Sequence, residues 1–107
     1  MARRRRHART PRFDPIDPLH DAAIAEALDL HGYKAHEVAP LLRGFLETWG
    51  RRGKGLVVHI ITGRGKNSAG APVLRGKVSS LLKGELKHLV AEWGPDYMEG
   101  GFKVRLR

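Results

Sequence analysis

From Ala27 to His31 the chain alternates apolar and polar side chains. Leu28 and Leu30 therefore fall on one face of an extended segment and Asp29 and His31 on the other, and Gly32 ends the run. This predicts a first strand. The preceding stretch, Leu19 to Glu26, reads as a short helix or as an extended approach to it. Val38, Leu41, Leu42, Phe45, Leu46 and Trp49 then recur at i, i+3, i+4, i+7, i+8 and i+11, the period of an amphipathic helix, with Gly50 placed to cap it. Proline suits the first turn of a helix, so Pro40 predicts one that begins late. Leu56 to Ile61 is a nearly unbroken β-branched run, as expected of a second strand covered on at least one face. After the glycine-rich stretch Thr62 to Gly70, Pro72 opens a second helical pattern in Val73, Leu74, Val78, Leu81 and Leu82, which Gly84 interrupts. A third strand around His88 to Trp93, a turn from Gly94-Pro95 to Gly100-Gly101 and a last strand from Phe102 to Leu106 complete the pattern.

This order, βαβαββ, predicts an α/β (α+β) two-layer sandwich with an about four-stranded mixed sheet and two main helices. Its two consecutive βαβ units predict that the first three strands run parallel, joined by right-handed crossovers. Parallel strands share one C-terminal edge, where open α/β sheets bind ligands. Asp29 to Gly32, Thr62 to Gly70 and the Gly94 to Gly101 turn should all meet there.

Charge changes the picture at the N-terminus. The 107 residues carry a formal charge of +9, and residues 1–13 hold six arginines and no acid. With Pro11, Pro15 and Pro18 and few apolar side chains, residues 1–18 read as a basic, disordered arm, and residues 19–107 as one folded domain. Arg3, Arg4, Arg5 and Arg6 are its candidate contacts to a polyanion, for which nucleic acid, an anionic membrane and a ribosomal surface are chemically equivalent hosts. The absence of cysteine excludes thiolate zinc sites and thiol nucleophiles. No apolar run approaches the ~20 residues that span a bilayer, and the arginine block is not followed by the apolar core of a signal peptide. The expectation is a cytoplasmic protein with no membrane partner; its oligomeric state stays open.

The middle loop suits an anion. Gly63 and Gly65 let backbone amides approach, Arg64 and Lys66 add charge, and the following helix, with Arg75 in it, presents its positive N-terminal end. It is not a nucleotide-triphosphate cradle, because the Gly-Lys pairs at Gly53, Gly65 and Gly76 are followed by Gly55, Asn67 and Val78 rather than by Ser or Thr. The residues alone leave two readings of this loop open, a phosphate site and a plain strand-to-helix connection. Asp29 and His31 are likewise either a catalytic pair or a carboxylate bonded to loop amides beside a solvated histidine. His59 and His88, in or beside apolar strands, read as hydrogen-bonded structural histidines, and Trp49 and Trp93 as core. No metal site is expected from histidine spacing.

Leu28-Asp29-Leu30-His31-Gly32, an amphipathic helix, Ile60-Ile61-Thr62-Gly63-Arg64-Gly65, Pro72-Val73-Leu74-Arg75 and Gly100-Gly101, in this order and spacing, resemble the small MutS-related (Smr) domain family over roughly Ala27 to Arg107. The resemblance implies a fold similar to the C-terminal domain of bacterial translation initiation factor 3 and a nucleic-acid-binding protein that is an endonuclease on DNA or RNA. The alternative is a non-catalytic module that binds RNA, DNA or the ribosome. It assigns catalysis to Asp29 and His31 and phosphate or nucleic-acid binding to Gly32, Thr62, Gly63, Arg64, Gly65, Lys66 and Arg75. The one cofactor it leaves open is a divalent cation, Mg or Mn. Thr62 stands where many members place a second histidine, and the stretch after Gly101 is shorter than the family's usual tail.

Overall fold

Residues 18–63, 71–96 and 100–107 are described by a computed structural model. The expected arm up to Asp17 and Arg64, Gly65 and Lys66 lie outside these residues. Four strands and two helices follow one another as β1 (Ile24–Asp29), α1 (Ala35–Gly50), β2 (Val57–Ile61), α2 (Ala71–Lys83), β3 (Val90–Asp96) and β4 (Gly101–Leu106). Short 3₁₀ turns at Leu19–Asp21 and Lys87–Leu89 precede β1 and β3.

The strands form one mixed sheet in the order β1-β2-β4-β3. β1 and β2 pair in parallel, and β4 pairs antiparallel with both β2 and β3. The first three strands therefore share one direction, as expected, but are not all neighbours. β3 runs in the same direction as β1 and β2, but β4 is inserted between them, because the short connection from β3 to β4 favours an antiparallel neighbour. The C-terminal ends of β1, β2 and β3 still share an edge, since Asp29, Ile61, Gly101 and Asp96 are successive register partners across the sheet.

Alternation along the strands sends Val58, Ile60, Phe102 and Val104 into the same core as Val38, Leu42 and Leu46 of α1 and Leu74, Val78 and Leu82 of α2. Both helices thus cover one sheet face, the two-layer arrangement expected. Trp49 and Trp93 pack against this core, as expected of core tryptophans, Trp93 edge-on to Phe102 with ring centroids 5.5 Å apart. The opposite face carries Val57, His59, Arg105 and Lys103. Leu19 is buried there, near Gly94, and the Lys103 ammonium donates to the His20 carbonyl at 2.7 Å. Arg105, 3% exposed, donates through Nε to Glu92 at 2.8 Å.

Three boundaries differ from expectation. β1 begins and ends earlier: Ile24 to Glu26 join β2 through a register shift, and His31 belongs to a turn. The alanines of this segment mask its alternation. α1 begins at Ala35 rather than after Pro40, because its first turn is fixed upstream: Lys34 N–H donates to the Glu37 carboxylate and Glu37 N–H to the Lys34 carbonyl, both at 2.8 Å. Pro40 and His36 are exposed, so the His36 carbonyl that Pro40 has no N–H to reach stays close to water. β3 starts two residues later than expected and runs on through Pro95, which is tolerated because β3 is an edge strand. Among the described residues no helix is long and apolar enough to cross a membrane.

Candidate active site

β1 delivers Asp29 at its last position, and the chain then reverses. The Leu30 N–H donates to the Ile61 carbonyl at 2.7 Å, extending the ladder by one bond, and the Tyr33 N–H donates back to the Leu30 carbonyl at 3.1 Å. Gly32 occupies the third position of this turn at φ +88°, while no described non-glycine residue has positive φ. That combination is a type II turn, which asks for glycine at this position. Leu30 is fully buried beneath the turn and anchors it.

The turn holds His31 against Asp29. Nδ1 of the ring lies 2.6 Å from Asp29 Oδ1, and the His31 backbone N–H donates to the same oxygen at 3.0 Å. Both side chains remain open to solvent, 68% exposed for His31 and 49% for Asp29. Partial burial raises the Asp29 carboxyl, but the bonds from the His31 ring and backbone together with the ring's charge outweigh it and hold the group below the usual carboxylate range. In the neutral tautomer whose Nδ1–H donates to Asp29, Nε2 is the ring nitrogen that keeps a lone pair.

The end of β2 is braced from β4. Thr62 N–H, Gly63 N–H and the Thr62 hydroxyl all donate to the Gly100 carbonyl, at 2.9, 3.1 and 3.1 Å. Thr62 is 1% exposed. Its hydroxyl proton and the Gly63 amide are thus both engaged by the Gly100 carbonyl. Arg75 is exposed on the second turn of α2.

Asp96 and Tyr33 were not expected at this edge. Asp96 Oδ2 reaches across β4 to within 3.5 Å of His59 Nε2, and both side chains are about nine-tenths buried. In the register Asp96 stands opposite Gly101, which has no side chain, and His59 opposite Lys103 two residues further along β4. His59 is buried, but the hydrogen-bonded histidine expected there is corrected: its Nε2 has no hydrogen-bond partner among the described residues and stands near the Asp96 carboxylate at a longer, 3.5 Å distance. His88 is instead exposed, on the 3₁₀ turn before β3. Tyr33, directly after the Asp29–His31 turn, is 46% exposed. The one signal in the sequence for Tyr33 is an aromatic following a turn glycine; for Asp96 it is its place at the end of the third strand. Among the described residues no group of three or more His, Cys, Asp or Glu side chains is arranged to hold a metal ion.

Compared with known families, the chain matches the Smr domain over residues 28–104. No curated protein and no solved structure matches it.

Proposed function

This chain belongs to the Smr family, and from that premise we propose that it is an endonuclease that hydrolyses or transesterifies phosphodiester bonds of DNA or RNA. The observation that carries the reading is the 2.6 Å contact between Asp29 and His31 on an exposed turn at the C-terminal sheet edge. An imidazole whose Nδ1–H is held by a carboxylate has a fixed tautomer and an outward-facing base. His31 Nε2 takes the proton of an attacking water or of a ribose 2′-hydroxyl as that oxygen bonds to phosphorus, the bond from phosphorus to the leaving ribose oxygen breaks, and the leaving oxygen takes a proton from solvent. Asp29 orients the ring and stabilises the imidazolium until it returns its proton to solvent. Arg64, Lys66 and Arg75 are the cations proposed to meet the charge that develops on the phosphoryl oxygens.

Asp29 Oδ2 is also a suitable oxygen for a Mg or Mn ion, which would add Lewis-acid activation of the phosphate; one carboxylate with substrate oxygens and waters is an ordinary donor set for such an ion. The second reading, a binding module without chemistry, draws on the Thr62 hydroxyl, whose proton is committed to Gly100 and which therefore supplies no second acid. The two separate in one experiment. End-labelled RNA and supercoiled plasmid are incubated with the protein, with and without EDTA, while binding is followed on the same substrates. Nicking or strand scission supports the endonuclease, and its EDTA sensitivity decides whether a metal takes part. Binding without any scission makes the chain a binding module.

A further inference from the structure

At the sheet end opposite Asp29 and His31, the C-termini of α1 and α2, the loop before β2 and the 3₁₀ turn before β3 gather around Arg107. Three surface hollows open there and Arg107 lines each of them. The first also contains Arg51 and His88, the second Lys83 and Lys87, and the third Lys54 and Arg105. Arg51, Arg52, Lys54, Lys83, Lys87 and Arg107 are all exposed. Of the nearby acidic side chains among the described residues, Glu92 is bound by Arg105 and Glu85 by Arg43, which leaves Glu47 as the remaining carboxylate side chain lining these hollows. Helix macrodipoles account for cations such as Arg51, Arg52 and Lys83 close behind the last turns of α1 and α2. They do not account for Lys54, Lys87 and Arg107, which lie on loops and at a strand end. Arg52, moreover, is stacked on Trp49 with its guanidinium carbon 4.4 Å from the ring centroid. Stacking fixes the planar group while leaving its N–H edge for an anion.

We propose that this end of the molecule is a second nucleic-acid contact, taking backbone phosphates at a distance from the bond addressed by Asp29 and His31. The inference rests on the nucleic-acid reading above and adds a surface to it. Charge complementarity names the occupant, since an exposed cluster of cations with its neighbouring acids largely neutralised is the footprint of a polyanion. Strands of this length, at ~3.3 Å per residue, separate the two ends by ~20 Å. At 3.4 Å per base-pair step that is roughly six steps, so a substrate longer than this reaches both ends.

The test is fluorescence anisotropy of a labelled duplex of about two helical turns against the full chain across a salt series. The variant is Arg51→Ala/Lys83→Ala/Lys87→Ala, with Arg51→Lys/Lys83→Arg/Lys87→Arg as the charge-conserving control and thermal melting to confirm folding. Each lost phosphate contact lowers the log–log salt slope by ~0.9, so the alanine variant is expected to bind ~10-fold or more weakly at low salt with a slope flatter by ~2–3. The control should behave as wild type. Unchanged affinity and slope in the alanine variant, with wild type binding in a salt-dependent way, overturns the second surface and leaves the nuclease reading standing. A wild type that binds neither this duplex nor a single-stranded RNA of the same length at any salt overturns both.

Discussion

Asp29 and His31 show how two residues of a five-residue motif become a chemical unit. The side chain of Asp29 accepts from both the ring and the backbone of His31, so the carboxylate fixes the ring and the ring keeps the carboxylate ionised. This coupling is measurable. The Asp29 carboxyl, followed by carbon NMR during an acid titration, should have its midpoint below the ordinary carboxylate value. A folded-state pKa below the unfolded one means that ionised Asp29 favours the fold above the unfolded value, and that this contribution disappears as pH falls through the lowered midpoint. His31→Ala removes the ring bond and the ring charge but keeps the backbone N–H, so the midpoint should rise toward the ordinary value. An identical midpoint in the variant would show that the ring is not what holds the carboxylate.

The elements were legible in the sequence wherever a period was strong. The stripe from Val38 to Trp49 announces α1, and the β-branched run announces β2, because a two-layer fold must bury one helix face and a central strand. Alternation at Leu28 and Leu30 pointed to Asp29 and His31 as one pair, though they meet through the turn after β1 and not as neighbours on a strand face. What escaped was set by contacts distant in sequence. The insertion of β4 between β2 and β3 is decided by pairing, and Thr62 is occupied by a carbonyl 38 residues away. Gly101 belongs to the same class: read as a turn residue, it sits where a Cβ would collide with the Ile60 carbonyl of the adjacent strand. Gly101→Ala is therefore expected to push β4 away from β2 at the edge that supports the site, costing about 2 kcal/mol or more and lowering the melting temperature by roughly 10 °C. A melting temperature equal to wild type would mean that the sheet opens there without strain.

Taken whole, the molecule pairs the structured edge proposed to carry acid–base chemistry with a strong excess of positive charge, +9 over 107 residues. Six of the arginines lie among residues 1–13, and others crowd the end of the sheet opposite His31. Such a distribution favours capture of a polyanion by many weak, salt-sensitive contacts, whereas the proposed reaction is assigned to a single turn. Binding and chemistry should then respond to different substitutions. The most direct test is strand scission by the His31→Ala variant beside wild type on the same labelled substrate, with affinity measured in parallel. Loss of an acid–base group that acts in the transition state predicts cleavage reduced by ~10² or more with affinity nearly unchanged. Cleavage by His31→Ala at the wild-type rate would contradict the assignment of the chemistry to this turn.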